Sequence, residues 1–225
     1  MSEGNNYPKI AIDGPAGAGK STVAREVSRR LKVKYLDTGA MYRAITLKVI
    51  RENIDLADSE ALERVLRKTK IGLGEDKRVF LDGEDVTEEI RSSHVNELVS
   101  PVSCISPVRR HLVSMQQDIA DQPGGIIMEG RDIASRVMPD ADYKIYLDAS
   151  IEERAKRRCK EQLEKGIALS LEEVAAVIKK RDHIDSRRED SPLTIVEDAV
   201  VVDTTGMTFD QVVDKVVEVI NEGMR

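Results

Sequence analysis

Short apolar runs alternate along the chain with longer segments whose apolar residues recur at a helical period. Five of these runs are nearly continuous in apolar residues: "KIAID" (9–13), "VKYLD" (33–37), "GGIIMEG" (124–130), "YKIYLDA" (143–149) and "AVVVD" (199–203). Strands that are covered on both faces have this pattern. The five runs therefore predict buried strands of one sheet.

Helices are predicted in the intervals between these strands. The first helix is expected from about Ser21 to Leu31. Another follows Ser150, which is placed to cap it; Glu153 would complete a capping box and Gly166 would end the helix. Strands that alternate with helices indicate an α/β fold with a parallel sheet flanked by helices.

Two more helices are predicted toward the end of the chain. Ser170 is placed to cap "LEEVAAVIKKRDHIDSRRED" (171–190), which should stop before Pro192. The last helix is "FDQVVDKVVEVINEG" (209–223). One earlier region breaks the alternation, since 71–86 contains two short strand-like pieces separated by charged turns. That region predicts a small α+β insertion, at roughly residues 70–105.

Composition narrows the class of protein. The 225 residues suit one domain with inserted parts, and 40% of them are hydrophobic, with no Trp and two Phe, so the core should be aliphatic. A net charge of −6 argues against a dedicated nucleic-acid binder, but it permits small phosphorylated ligands. No signal-peptide-like stretch or apolar run of membrane-spanning length occurs, and Cys104 and Cys159 lack metal spacing. We expect a soluble cytoplasmic protein with reduced thiols, a disulfide being the minor alternative.

A phosphate-binding motif lies between the first predicted strand and the first predicted helix. Residues 14–21, "GPAGAGKS", match G-x-x-x-x-G-K-[ST]. Glycines let the backbone N–H groups approach phosphate oxygens, and the helix N-terminus adds positive potential. Lys20 can reach the β- and γ-phosphates, and Ser21 can offer its hydroxyl to Mg²⁺. The lysine–serine ending disfavours an ordinary glycine-rich turn, so the motif predicts a nucleoside triphosphate site.

Three arginine-bearing stretches predict a second anion site. They are "DTGAMYR" (37–43), "EGRDI" (129–133) and "RDHIDSRRED" (181–190). The first two follow predicted strands, on the side where ligands bind in open α/β sheets. Arginine presents two parallel donors to a phosphate, which lysine cannot do. No plausible guanine-reading N-K-x-D motif is found, so a kinase with a phosphate-bearing acceptor is favoured over a GTPase.

The third stretch would by itself indicate a solvated charged helix face. On a helix, however, Arg181, Asp185 and Arg188 are spaced i, i+4, i+7 and share one face. We assign that face to the acceptor. The other charged residues are expected to stay solvated: Asp182, His183, Arg187, Glu189 and Asp190.

Taken together, the motifs resemble those of bacterial cytidylate kinases, which are P-loop nucleoside monophosphate kinases. The matching segments, in order over about 9–205, are "IDGPAGAGKST", "YLDTGAMYR", "EGRDI" before "PDA", "YLDASIEERAKRR", and "RDHIDSRR" before "SPL". The resemblance implies ATP-dependent phosphorylation of CMP and dCMP by a single P-loop kinase domain. Its implied parts are a core (about 7–37, 106–150 and 191–225), an inserted α+β monophosphate-binding region (about 38–105) and a helical lid (about 151–190).

The resemblance also implies site residues. The ATP-binding residues would be Gly14, Pro15, Ala16, Gly17, Ala18, Gly19, Lys20, Ser21 and Thr22. The CMP-binding residues would be Thr38, Arg43, Ser100, Arg109, Arg131, Asp132, Arg181, Asp185 and Arg188. The catalytic residues would be Lys20, Arg131, Arg154, Arg158 and Arg188, with Arg157 in the same lid stretch. Mg²⁺ would accompany ATP, with Ser21 as its protein ligand.

Three of these residues match positions that read cytosine. Asp132 would accept from the exocyclic amine, while Arg109 and Ser100 would donate to N3 and O2; Ser103 or Ser106 could replace Ser100 if the register shifts. Uracil would set a carbonyl against Asp132, at a cost of about 1–3 kcal/mol.

Several questions stay open at the level of sequence. Ala134 and Ser135 stand where the family often has Gly-Thr, which leaves the backbone after Asp132 undecided. A second carboxylate near Mg²⁺ could be any of Asp13, Asp37 and Glu129. The alternatives to a CMP kinase are a P-loop kinase for another acceptor, such as UMP, AMP or shikimate, and a nucleotide-dependent switch protein. The expected partners are ATP and CMP or dCMP, with no nucleic acid and no membrane, and a monomer is expected.

Overall fold

The structure is a computed structural model that describes residues 7–74, 77–164 and 166–223. In chain order its strands and helices are β1 (Lys9–Asp13), α1 (Lys20–Leu31), β2 (Lys34–Asp37), α2 (Thr38–Arg51), α3 (Ser59–Lys68), β3 (Ile71–Leu73), β4 (Val79–Leu81), β5 (Glu84–Asp85), α4 (Ser93–Ser103), α5 (Ser106–Ala120), β6 (Ile126–Gly130), β7 (Tyr143–Asp148), α6 (Ile151–Glu164), α7 (Leu171–Arg187), β8 (Val200–Asp203) and α8 (Phe209–Gly223). A 3₁₀ turn spans Glu89–Arg91 and a π-helical turn spans Ile133–Val137.

The chain forms two compact units. The first takes in the residues up to Leu36 and those from Ile119 onward, and the second runs from Asp37 to Asp118. No helix in the described part of the chain has the length and apolarity needed to span a membrane. Both cysteines are thiols.

A five-stranded sheet organises the first unit, in the order β2-β6-β1-β7-β8. β1 pairs in parallel with β6 and β7, and β7 pairs in parallel with β8. Each predicted strand is confirmed to within two residues at either end. The sheet therefore brings the carboxyl ends of β1 and β6 side by side, with Asp13 in register with Gly130.

The core of this unit is aliphatic, as the composition predicts. Ile10 and Ile12 of β1 pack with Val23 of α1 and with Val213 and Val216 of α8, and all five are at most 2% exposed. Burying side chains of this size contributes about 1.5–3 kcal/mol each. The packing fixes α1 against the end of β1, so the loop that joins them has a rigid support.

The helices α6 and α7 pack on each other through Ala155, Val174 and Ile178. Ser170 and Glu173 form a complete capping box at the start of α7. At α6 the predicted box forms on one side only: the Ser150 hydroxyl accepts the Glu153 N–H at 3.2 Å. The Glu153 carboxylate instead accepts from Arg157, one helical turn further on.

The predicted extension of α7 to residue 190 is wrong. The helix ends at Arg187, and Arg188 is extended, with φ −62° and ψ 143°. Ser191 has φ +52° and precedes Pro192, which disfavours helical backbone in the residue before it. The Leu193 N–H returns to the Asp185 carbonyl at 2.8 Å, so the chain turns back over the end of the helix.

The second unit contains α2 to α4, most of α5 and a small antiparallel sheet, β3-β4-β5. The two strand-like pieces predicted at 71–86 thus form three short strands. Val79 and Leu81 of β4 pack against Ala40 and Leu47 of α2 and against Ile90. This unit has an aliphatic core of its own.

Candidate active site

The segment Gly14–Gly19, here the donor loop, joins β1 to α1 under tight steric limits. Gly14 has φ +149°, and a Cβ on it would lie 2.0 Å from the Leu147 carbonyl oxygen. Gly17 has φ +78°, and a Cβ there would come within 3.2 Å of the Arg154 Cβ. Glycine is needed at both places, because other residues would clash or adopt a strained backbone. No side chain caps the start of α1, so its first N–H groups are available to an anion.

Lys20 is the first residue of α1, and its side chain contacts the donor loop. It is 5% exposed, and its ammonium donates to the carbonyls of Gly14 and Pro15, both at 2.8 Å. Burial, and then the nearby charge of Arg131, lower the pKa of Lys20 to about 7. An approaching phosphate would stabilise the charged form of Lys20.

The Ser21 hydroxyl donates to Glu129 at the end of β6. The Tyr35 hydroxyl donates to the same carboxylate oxygen at 3.2 Å. Of the three carboxylates left open by the sequence, Glu129 is therefore the one hydrogen-bonded to Ser21. Asp37 instead caps α2 by accepting the Ala40 N–H at 3.0 Å.

Asp13 holds the backbone that follows Asp132. Its carboxylate accepts N–H groups from Ile133 at 3.0 Å and from Ala134 at 2.8 Å. Burial raises the pKa of Asp13 to about 6, although both N–H donors oppose the shift. The segment containing Ala134 and Ser135 is the π-helical turn, so its shape is set by a contact with β1.

The end of β6 and the end of α7 form a buried arginine–aspartate cluster. Its five members are Arg131, Asp132, Arg181, Asp185 and Arg188. Arg131 Nε donates to Asp185 at 2.8 Å, and Arg181 Nε lies 3.9 Å from the same carboxylate. Arg188 forms an ionic contact of 3.3 Å with Asp132. The structure thus brings together all the acceptor-site residues that were predicted in the first unit.

Within this cluster, charge pairing affects the pKa values of Asp185 and Arg131 more strongly than burial does. Burial works against the charge of Asp185, but Arg131 and then Arg181 keep the pKa of that carboxyl below its usual value. Burial also opposes the charge of Arg131, yet Asp185 raises its pKa. Both side chains are therefore held in their charged forms.

The predicted shared helix face is wrong for Arg188, because that residue lies beyond the end of α7. It reaches the cluster by another route. Its Nε donates to the Ser191 carbonyl at 2.5 Å, within the turn that closes the helix. This turn directs the guanidinium toward Asp132.

Arg154 lies on the donor loop. Its side chain is 6% exposed. Nε donates to the Ala149 carbonyl at 2.9 Å, and Nη1 donates to the Ala16 carbonyl at 2.9 Å and to Asp182 at 2.6 Å. Among the predicted catalytic residues, Arg154 thus shares the surroundings of the donor loop with Lys20.

The two other arginines of α6 are placed differently. Arg157 donates to the hydroxyl of Thr204 at 3.0 Å and to its carbonyl at 2.7 Å. Arg158, which was predicted to be catalytic, is 41% exposed and pairs with Glu161 at 3.1 Å. The structure therefore places Arg158 at the surface, away from the buried contacts that hold Arg154.

The prediction that Asp182 belongs to a solvated face is wrong. Its side chain is 21% exposed; one carboxylate oxygen accepts the Ala16 N–H at 3.1 Å and the other accepts from Arg154. Ala16 is 166 positions away in the sequence. A contact over that distance leaves no local pattern, so inspection of the charge run could not have found it.

In the second unit, Arg43 of α2 is oriented by Asn96 of α4. Arg43 Nη1 donates to the Asn96 side-chain oxygen at 2.5 Å. The Asn96 amide nitrogen donates in turn to the carbonyls of Arg91 and Ser92, both at 2.9 Å. Asn96 was missed by the sequence reasoning. Thr38, another predicted acceptor contact, is buried at the start of the same helix α2.

Arg109 is 1% exposed in the second unit. Its guanidinium lies 5.5 Å from the centre of the Tyr42 ring and donates to the Ser103 carbonyl at 3.1 Å. The Ser103 hydroxyl donates to the Ser100 carbonyl at 2.8 Å. Ser100, Ser103 and Arg109 are thus neighbours within the second unit, and their role in reading the base stays a prediction.

A parallel α/β sheet has a phosphate loop followed by a lysine at the end of β1, and arginines gather at the ends of β6 and α7. These features define a P-loop kinase. The family model for cytidylate kinases matches residues 10–222. The chain belongs to the cytidylate kinase family.

Two relatives illustrate the similarity. A cytidylate kinase of Caldanaerobacter subterraneus subsp. tengcongensis is 54% identical over 217 residues, which cover 96% of each chain. A cytidylate kinase of Bacillus subtilis is 46% identical over 219 residues, covering 96% of this chain and 97% of the relative.

A solved gluconokinase from Sinorhizobium meliloti 1021 has the same fold. It aligns with a TM-score of 0.51 at 12% identity, over 96% of this chain and 92% of that one. At this identity the likeness concerns the fold alone.

Proposed function

We infer that the protein transfers the γ-phosphate of ATP to CMP or dCMP, giving CDP or dCDP. The observation that carries this inference is the family match over residues 10–222. The geometry agrees with it, because the donor loop offers a buried lysine and a helix N-terminus to a triphosphate. Phosphoryl transfer depends mainly on positioning and charge stabilisation, which such groups supply.

We propose that residues 14–22 bind ATP. The N–H groups at the start of α1 would hold phosphate oxygens. Lys20 would exchange its two carbonyl contacts for the β- and γ-phosphates. The opposite charge of the phosphates would then keep the lysine protonated.

We propose that Mg²⁺ accompanies ATP, with Ser21 as its protein ligand. The hydroxyl of Ser21 and the carboxylate of Glu129 are oxygen donors, which Mg²⁺ prefers, and they are in contact. Among the described residues no group of three His, Cys, Asp or Glu side chains could hold a metal ion, which fits an ion bound mainly by ATP. When bound, Mg²⁺ neutralises charge on the transferring phosphate.

We propose that the arginine–aspartate cluster binds the acceptor. Arg131 and Arg188 would bind the CMP phosphate, with Arg181 near it, and Asp185 would contact the ribose. Their guanidinium groups are already oriented by carboxylates, so less side-chain entropy is lost on binding. No general base is required, because the CMP phosphate is already an anionic nucleophile.

The remaining acceptor contacts are proposed from the family resemblance. They are Thr38, Arg43, Ser100 and Arg109 of the second unit and Asp132 of the first. We also propose that the lid, residues 151–190, closes and excludes water, and that Arg154 and Arg158 then stabilise the transferring group.

A panel of acceptors tests the proposed function. Purified protein with ATP and Mg²⁺ is offered CMP, dCMP, UMP, AMP or GMP, and ADP release is followed in a coupled assay. CMP and dCMP should give the highest kcat/KM values. Faster turnover of UMP or AMP would replace the proposed acceptor, and slow hydrolysis without acceptor stimulation would identify a switch protein instead.

A monomeric state and a cytoplasmic location stay predictions from the sequence. Size-exclusion chromatography with light scattering tests the first, since one chain has a mass of 25.1 kDa.

A further inference from the structure

We propose that Asp182 is a positioning residue for phosphoryl transfer, which joins α7 to the donor loop and orients Arg154. The proposal rests on the kinase function inferred above. It concerns a residue that the charge pattern had assigned to solvent.

The two carboxylate oxygens of Asp182 have separate partners. Oδ1 accepts the Ala16 N–H at 3.1 Å, and Oδ2 accepts from Arg154 Nη1 at 2.6 Å. A charge-assisted hydrogen bond of that length between groups that are mostly buried is strong and directional. Asp182 therefore restrains both the backbone of the donor loop and the guanidinium beside it.

Arg154 closes this arrangement into a ring. Its Nη1 donates both to Asp182 and to the Ala16 carbonyl, so the N–H and the C=O of Ala16 are both held. Nε is held by the Ala149 carbonyl. Within the described part of the chain, Nη2 donates to no protein acceptor. Nη2 is therefore the guanidinium nitrogen that the proposal leaves for a phosphate oxygen.

The same turn of α7 also reaches the arginine–aspartate cluster. Asp185, three residues after Asp182, accepts from Arg131 at 2.8 Å. One helical turn therefore orients an arginine at the donor loop and an arginine of the proposed acceptor site. A substitution that displaces this helical turn should disturb the alignment of the reacting groups more than it weakens the affinity for either substrate.

The test compares Asp182→Asn with Glu172→Gln, an exposed carboxylate at the start of α7 that serves as a charge-matched control. Asparagine keeps an oxygen for the Ala16 N–H, but it loses the charge that orients Arg154. We expect kcat to fall about tenfold or more, while the KM for CMP changes less than about threefold. Glu172→Gln should match the wild type. An unchanged kcat with a lowered Tm would show that Asp182 is a stabilising ion pair and would overturn the proposal.

A double-mutant cycle separates positioning from general destabilisation. In an Arg154→Ala background, Asp182→Asn should lower kcat less than about twofold, because the group it orients is gone. Equal losses in both backgrounds would refute the role assigned to Asp182. If Asp182→Asn does not fold, Asp182→Glu replaces it. Glutamate keeps the charge one methylene further out, and kcat should fall; wild-type kcat would exclude a positioning role.

Failure of the proposal is distinguishable from failure of the kinase function. If the wild-type protein does not phosphorylate CMP, the function itself is wrong. If the wild type is active and Asp182→Asn is equally active, only the role of Asp182 is wrong.

Discussion

The donor loop and the arginine–aspartate cluster are both proposed to hold phosphates, but they are built in opposite ways. The donor loop is continuous in sequence, and the positive φ angles of its glycines set its shape. The cluster joins residues such as Arg131 and Asp185, which are 54 positions apart. The first site is therefore encoded locally, whereas the second exists only once the sheet and α7 are packed.

The two regions also differ in how their cations are compensated. Lys20 donates to two neutral carbonyls, and burial lowers its pKa. Arg131 and Arg188 each face a carboxylate. Loss of the lysine removes a buried ionisable group, whereas loss of Arg131 or Arg188 removes one of the cations that face a buried aspartate. Substitution of Lys20 should therefore impair catalysis without loss of stability, whereas substitution of Arg131 or Arg188 should impair catalysis and stability together.

The largest effect is expected for Lys20→Met, which removes the ammonium that contacts the donor loop. We expect kcat/KM to fall by about 10³, since the charge that faces the transferring phosphate is lost. The free energy of unfolding, from urea denaturation, should be unchanged or higher, because an apolar side chain replaces a buried ammonium. Lys68→Met, at an exposed position of α3, is the control and should change neither quantity. A marked loss of stability in Lys20→Met would remove the contrast between the two regions.

The next largest effect is expected for Arg188→Ala in the cluster. Its kcat/KM for CMP should fall by about 10². Its free energy of unfolding should fall by about 3 kcal/mol, because the buried carboxylate of Asp132 loses its ionic contact with Arg188. Adding Asp132→Asn should restore part of the stability but not the activity. If Arg188→Ala proves as stable as the wild type, the pair contributes nothing to the fold.

The same contrast between local and long-range contacts explains which parts of the fold and of the site could be predicted from the sequence. The five buried strands follow from continuous apolar runs, and the donor loop follows from eight consecutive residues, so both could be predicted. The end of α7 was misplaced because the charged run continues past Arg187, while the turn at Ser191 depends on backbone angles. The Glu153 carboxylate does not complete the predicted capping box, because it accepts a hydrogen bond from the charged Arg157 side chain instead.

The contacts that Asp182 and Asp13 make with distant residues could not be predicted. The donor-loop contact of Asp182 and the π-helical turn held by Asp13 each join segments more than a hundred positions apart. Neither hydrophobic periodicity nor a short motif predicts which of these distant residues come into contact. These are the parts of the site that only the packed sheet and helices define.

A smaller effect is expected on base selectivity, within the cluster itself. Asp132→Asn should lower the ratio of kcat/KM for CMP to that for UMP by about tenfold, because an amide can donate to the uracil carbonyl. Asp185→Asn, where the carboxylate faces Arg131, is the matched comparison and should weaken both activities while leaving the ratio in place. A ratio that stays constant in Asp132→Asn would assign Asp132 to holding Arg188 alone.

The smallest expected effect is the uptake of a proton by Lys20 when ATP binds at the donor loop. The folded pKa of Lys20, about 7, is far below the ordinary 10.5, so at pH 8 most of the free protein has a neutral lysine. The phosphates of ATP favour the ammonium and raise that pKa, so binding should take up close to one proton at pH 8, and ATP affinity should weaken as pH rises above 7.

The stability of the fold depends on pH in the opposite direction to the ATP affinity. The unfolded chain binds more protons between about pH 7 and 10.5, so the contribution of Lys20 to stability rises over that range. Calorimetry of ATP·Mg²⁺ binding, in two buffers of different ionisation enthalpy, measures the proton uptake directly. Lys68→Met should retain the uptake and Lys20→Met should lose it. The arginines of the cluster stay charged throughout this range, so a proton uptake that survives in Lys20→Met would have to arise outside the donor loop.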